Sequence, residues 1–369
     1  MVWHILEAST LRMKQFQIAV LPGDGIGPDV TMEAIRVLDR AAGALKHSKL
    51  IYQEHPCGAG EYLKNGDPLP AATLEACRAA DAVLLGAMGI PSVRWPSGTE
   101  MTPQIDLREQ LDLYAGVRPI RLYHASHSPL KGYGAGEIDF VIFRENTEGL
   151  FFSRKNTVDF SADYCDDTLR ITRVAAEKIC RAAFDLALTR RKHVTLVDKA
   201  NVLPSMAYFR SIFDQVATQY PSVETDRVYV DAASLFLIKS PKRFDVIVTE
   251  NMFGDILSDL AAGLIGGMGM APSGDIGGVH AVFQPSHGSA PDIAGKGIAN
   301  PLATILSGAM MLEWLGRDGG EIGLELKDAA ARIYRSVEAV CGNPENATRD
   351  LGGKLSTQQM GDLVLSALA

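Results

Sequence analysis

Short, almost wholly apolar runs recur along this chain at intervals wide enough to hold a helix. Residues 16–21, 50–54, 82–86, 139–143, 193–197, 227–230 and 245–249 read as strands, because short runs of this composition suit strands buried on both faces. Between them lie stretches with apolar residues three and four apart. The clearest covers 169–188, where Ile171, Val174, Ala175, Ile179, Ala182, Ala183 and Leu186 form one stripe behind a cap at Asp167 or Thr168. Residues 71–80, 301–315, 325–340 and 356–368 also read as helices. This alternation predicts an α/β fold on a largely parallel sheet. At 369 residues the chain exceeds the size at which one core stops growing, so two domains are expected.

Two stretches break the rhythm. Residues 90–105 are turn-rich, with Pro91, Pro96, Gly98 and Pro103, and read as an active-site loop. Residues 263–300 hold ten glycines with little periodicity and read as a long binding loop. The 36 Lys and Arg against 44 Asp and Glu give a net charge of −8, which argues against general nucleic-acid or membrane-surface binding. Five scattered cysteines with no CxxC pair suggest neither a disulfide framework nor a thiolate zinc site, and fit a reducing cytoplasm. The first residues lack the pattern of a signal peptide, and residues 1–12 read as an extension before the first strand.

The GDGIG run at 23–27 follows a strand and opens a helix, as a dinucleotide-binding turn does. However, Pro28 stands where the third glycine of GxGxxG belongs, and Glu54 lies 27 residues beyond Gly27 against the usual ~20. A tight strand-to-helix turn is the preferred reading. Asp255 and Asp259, four apart on a helical stretch, share one face and repel, so a Mg²⁺ or Mn²⁺ would compensate them. Solvated acids near a helix start are an equal reading of that pair alone. Arg108, Arg118 and Arg144 are placed to fork onto carboxylates, although each alone reads as an ordinary surface arginine. Lys199 follows an apolar strand and is a candidate base near other cations. Asp231, after the run 227–230, is a candidate third metal ligand. His287 lies in a glycine-flanked loop that lets backbone approach a ligand, and Asp292 there suits the two hydroxyls of a ribose.

The segments LPGDGIGPDV, LREQLDLYAGVRP, FRENTEGL, VDKANVL, YVDA, TENMFGDILSDLAAGL and PSHGSAPDIAGKGIANP, in this order, resemble the isocitrate/isopropylmalate dehydrogenase family over nearly all of residues 14–369. The resemblance implies two α/β domains around a cleft, without a Rossmann fold. Residues 1–113 and 266–369 would form a large nucleotide-binding domain, and 114–265 a smaller one carrying a homodimer contact. Arg108, Arg118 and Arg144 match the family's substrate clamp, and Asp255 and Asp259 its metal ligands. Asp231, Lys199 and the neighbouring Asn201 would come from the partner subunit, with Lys199 as the catalytic lysine. His287, Gly288, Ser289, Ala290, Asp292, Ile293 and Asn300 match the nucleotide-binding loop. NADP-preferring relatives carry Lys-Tyr where this chain has Asp292-Ile293, so NAD is implied, with Mg²⁺ or Mn²⁺.

The implied reaction is oxidation of a 2-hydroxy acid followed by decarboxylation, with Lys199 removing the hydroxyl proton. Two positions depart from the pattern. Phe151 stands where relatives carry a proton-donating tyrosine, which leaves that role to water or to a residue such as Tyr164 or Tyr123. Isopropylmalate enzymes present leucines ahead of the first clamp arginine, whereas this chain has Thr102 and Gln104. A polar malate (D-malate, tartrate or one bearing a polar arm) is therefore expected ahead of 3-isopropylmalate or isocitrate. A catalytically weak regulatory subunit is the rival reading, favoured only by Phe151.

Overall fold

A computed structural model describes residues 13–368; the extension read at 1–12 lies outside the described residues. Ten strands carry the fold: β1 (Lys14–Gly23), β2 (Ser48–Glu54), β3 (Ala82–Ala87), β4 (Ala115–Arg121), β5 (Asp139–Glu145), β6 (His193–Asp198), β7 (Glu224–Tyr229), β8 (Val246–Thr249), β9 (Pro272–Ile276) and β10 (Ala281–Pro285). They form one sheet in the order β2-β1-β3-β10-β9-β4-β5-β8-β6-β7. The two flanks are parallel, and the centre, from β10 through β9 and β4 to β5, is antiparallel. All seven expected strands are present.

Eleven α-helices among the described residues cover the sheet: α1 (Gly27–Ala42), α2 (Ala59–Asn65), α3 (Ala71–Ala79), α4 (Pro103–Gln110), α5 (Arg173–Leu188), α6 (Pro204–Ala217), α7 (Val230–Lys239), α8 (Asn251–Gly263), α9 (Leu302–Leu315), α10 (Gly320–Cys341) and α11 (Thr357–Ala367). Helix α5 begins later than expected: Thr172, not Asp167 or Thr168, is its cap, and its hydroxyl accepts from the Ala175 N–H. The glycine-rich stretch 263–300 is not all loop, because β9 and β10 pair within it. β4 was likewise not expected. These three central strands have few apolar residues of their own, and their polar side chains are buried by what surrounds them. Asp231 does not end a strand; it sits in the first turn of α7.

Strands from both ends of the chain fill one half of the sheet, and strands from 115–249 fill the other. The largest apolar cluster joins α1, α9, α10 and α11 to the sheet and reaches across to Phe140, Phe244 and Leu257. A second cluster lies between α5, α6 and the strands β5, β6 and β8. No helix among the described residues is long and apolar enough to cross a membrane.

The GDGIG turn is a packing device. A Cβ on Gly25 would lie 1.9 Å from the Ser289 carbonyl oxygen, and Ile26 N–H donates to that oxygen at 2.8 Å. The buried Asp24 carboxylate accepts the N–H groups of Ala59, Gly60 and Gly89, which ties the start of α2 to the turn. Glu54 lines a separate cavity beside Arg36.

Candidate active site

Side chains opposite each other on adjacent strands share a face of the sheet. Gly116 on β4 stands opposite Asp275 on β9 and opposite Arg144 on β5, so these three form one row across the antiparallel centre. Arg118, two residues along β4, shares that face. Arg108 reaches the same place from the last turn of α4. The three guanidinium groups line one cavity of about 300 Å³ with Asp255, Asp259, Gln104, Phe151, Ser286 and His287.

All three arginines are buried, at 4 % exposure for Arg108, 6 % for Arg118 and 2 % for Arg144. Two are anchored through Nε: Arg108 donates to Asp275 Oδ2 at 3.0 Å, and Arg144 to Asn251 Oδ1 at 2.9 Å. Anchoring at Nε leaves the terminal nitrogens of Arg108 to face a ligand, whereas Arg144 also donates from Nη1 to Asp255. Arg118 donates from Nη1 to Ser286 Oγ at 2.8 Å, and its own Nε is buried without a partner. Burial, and then the charge of Arg108, pull the Arg144 guanidinium down to about 9, against the attraction of Asp255. Burial likewise lowers Arg118. Concentrated buried positive charge of this kind is stabilised by an anion.

Helix α8 starts directly after β8 and is capped by the buried Glu250 carboxylate, which accepts the N–H groups of Met252 and Phe253. Asp255 and Asp259 leave its cavity-facing side, as their spacing predicted. Asp255 pairs with Arg144. Leu257 is buried, whereas Ile256 is exposed. Burial, and then the neighbouring Asp255, raise the pKa of Asp259 against the attraction of Arg118 and Arg144. Hard, charged oxygen donors on one helix face fit Mg²⁺ or Mn²⁺.

Lys199 and Asp231 lie elsewhere. Lys199 Nζ donates to Asp231 Oδ1 at 2.6 Å, and that bond lowers the Asp231 pKa. Neither residue lines the cavity, and Asn201 beside them is exposed. Among the described residues, Asp231 does not complete a metal-ligand group with Asp255 and Asp259. Within one chain the three arginines and the two aspartates thus share a cavity that Lys199 and Asp231 do not line.

His287 and Gly288 close the cavity beside the arginines. Burial lowers the His287 pKa, and its Nε2 is buried without a partner, an open hydrogen-bonding position that suits a nucleotide. Ser289 donates to the Gly89 carbonyl, Ala290 has a positive φ of 40°, and Asp292 is exposed. Ile293 packs on the small cluster of Ile26, Val30 and Ala299. Asn300 is engaged within the fold, accepting the Leu302 N–H at 3.0 Å and donating to Asp350 at 3.0 Å.

Gln104 lines the cavity with its Oε1 buried and unpartnered, whereas Thr102 does not line it. The Phe151 ring lies 5.2 Å from the Arg144 guanidinium carbon. The two tyrosines considered as proton donors are not at the site. Tyr123 is buried against a different cavity with Met310 and Tyr334, and Tyr164 is exposed. The sequence reading missed Asp275, Gln284 and Ser286 in the glycine-rich stretch, Asn146 just after β5 and Asn251 at the start of α8, because a polar residue in a loop or at an element's end gives no sign of what it faces.

A profile of the isocitrate/isopropylmalate dehydrogenase family matches residues 17–364. The 3-isopropylmalate dehydrogenase of Aquifex aeolicus is 44 % identical over 310 residues, covering 82 % of this chain and 84 % of the relative. That of Rhodococcus opacus is 43 % identical over 358 residues, covering 95 % and 100 %. Among solved structures, isocitrate dehydrogenase from Methylococcus capsulatus superposes with a TM-score of 0.85 at 38 % identity, over 96 % of this chain and 99 % of that one. A β-decarboxylating dehydrogenase from Thermococcus kodakarensis gives 0.77 at 37 % identity, over 96 % of both chains. With the profile spanning almost the whole length, this chain belongs to the isocitrate/isopropylmalate dehydrogenase family, dehydrogenases that work with NAD and Mg²⁺ or Mn²⁺.

Proposed function

We propose that the chain oxidises and decarboxylates a 3-substituted malate, with NAD as hydride acceptor, in an active site shared between two copies. The observation that carries this reading is the convergence of three buried arginines with Asp255 and Asp259 in one cavity. Two substrate carboxylates would take the free ends of Arg108, Arg118 and Arg144. Asp255 and Asp259 would hold the divalent ion, with Asp231 supplied by the second copy. When bound, that ion supplies Lewis acidity at the 2-hydroxyl. Lys199 of the second copy would accept the hydroxyl proton. His287 to Ile293 and Asn300 would shape the nucleotide site, with Asp292 free to take ribose hydroxyls.

The shared site draws support from the exposed apolar side chains Leu235, Ile238 and Ile256 on α7 and α8, the helices that carry Asp231 and the Asp255–Asp259 pair. In this reading residues 1–113 and 266–369 form one domain and 114–265 the other, with the cleft at the seam between β9 and β4. The five cysteines are all unpaired, which supports a cytoplasmic setting.

The relatives' names support 3-isopropylmalate as substrate, ahead of the D-malate and tartrate expected from the loop sequence. Gln104 favours a second reading. Its buried, unpartnered Oε1 would be satisfied by a substituent that carries a hydroxyl. A panel of 3-isopropylmalate, D-malate, tartrate and isocitrate with NAD and Mn²⁺, followed at the NADH absorbance band, tests both. Fastest turnover of 3-isopropylmalate supports the first reading and of tartrate the second. No turnover of any of them overturns the activity.

A further inference from the structure

Asp275 is a fully buried carboxylate at the centre of the sheet, 1 % exposed. Its Oδ2 accepts from Arg108 Nε at 3.0 Å and from Gln284 Nε2 at 2.6 Å, and its Oδ1 accepts from Asn146 Nδ2 at 2.9 Å. Burial alone would raise its pKa, but the charges of Arg108 and Arg118 hold it below the usual carboxylate range. The neighbouring strand makes room for this arrangement. Opposite Asp275 stands Gly116, where a Cβ would lie 2.7 Å from Asn146 Oδ1, so any side chain there would displace the amide. One carboxylate therefore joins α4, β9 and β10 to the residue that follows β5, across the β9–β4 seam.

We propose that Asp275 is the positioning residue for Arg108: by holding Nε, it turns the two terminal nitrogens of that guanidinium towards the substrate carboxylate. Its own oxygens are taken by the three donors, and it does not line the substrate cavity. Ser273, which shares its strand face two residues earlier, belongs to a different network, its backbone N–H donating to the Ser307 hydroxyl oxygen at 3.2 Å. Arg108 is the clamp arginine with a carboxylate at Nε, whereas Arg144 has the neutral Asn251 amide there. Shortening residue 275 would release Arg108 to swing away from the cavity. An asparagine at 275 would keep an acceptor for Arg108 and Gln284, and a turned Asn146 amide would accept from its Nδ2.

The inference rests on the clamp reading above, and kinetics with the hydroxy acid that the wild type turns over fastest test it. D275A is expected to raise the KM for that acid at least tenfold, with the KM for NAD within twofold of wild type. D275S, equally short but able to hydrogen-bond locally, is expected to do the same and stands in if D275A does not fold. D275N is expected to return the KM to within threefold of wild type. A folded D275A or D275S with unchanged hydroxy-acid KM overturns the proposal. So does a rise shared equally by both KM values, or a D275N as impaired as D275A, since either would mark a general structural defect. Absence of NADH formation by the wild type fails the functional reading itself, and the proposal with it.

Discussion

The arginine cavity and the Lys199–Asp231 pair are built in opposite ways. Each clamp arginine is buried and held by a named partner, so its geometry is complete within one chain. Lys199 and Asp231 pair with each other beside the Tyr229 ring, with the Asp231 side chain 68 % exposed. An exposed ion pair contributes little to stability, so folding of the single chain gives this one little reason to exist. On the proposed reading, the difference teaches that one chain finishes the anion-binding end of the site by folding, while a second copy would complete the proton-transfer end.

The sharpest way to break this comparison is to remove a clamp arginine. Arg144→Met is expected to lower kcat/KM by about 10²–10⁴, the value of two charge-assisted hydrogen bonds at about 1.5–3 kcal/mol each. Steady-state kinetics at saturating NAD check it, and a loss below tenfold would deny Arg144 its role. Next is a mixing experiment. Lys199→Met and Arg108→Met, each inactive alone, are refolded together. Mixed dimers, half the population, then carry one intact site of two, so about a quarter of wild-type activity should return. No recovery would mean that each site draws its residues from one chain.

Metal dependence gives a smaller effect. Asp259→Asn should raise half-saturating Mg²⁺ about tenfold or more. Because burial raises the Asp259 pKa, the wild type should need more Mg²⁺ as pH falls through that range, and the variant should lose this trend. Activity against Mg²⁺ at several pH values reads both.

The smallest effect is on stability. Burial pushes buried Glu145, beside Arg144, up to about 6 from 4.5. Between those values the folded chain holds a proton that the unfolded chain has released. Stability should therefore fall by about 2 kcal/mol as pH rises through that window and stay level above it. Urea midpoints of Glu145→Gln should lack this slope, whereas Asp231→Asn should leave the wild-type curve unchanged.

Much of this was legible in the sequence. Apolar runs located seven strands because burial on both faces imposes composition directly. The spacing of Asp255 and Asp259 placed them on one helix face, since helical periodicity is local. Ordered motifs pointed to Arg108, Arg118, Arg144, Lys199 and Asp231 as functional. The central strands β4, β9 and β10 were not legible, because their stability comes from neighbours distant in the chain.

Local pattern thus determined the fold class, the helix and strand rhythm, and the chemical types gathered for the site. Only the tertiary structure decided that Asp275 and Asn251 anchor two of the arginines, that Gln104 faces the cavity while Thr102 does not, and that Lys199 stands apart from the clamp. Periodicity fixes which way a side chain faces along its own element, whereas its partner is set by how strands and helices far apart in sequence come together.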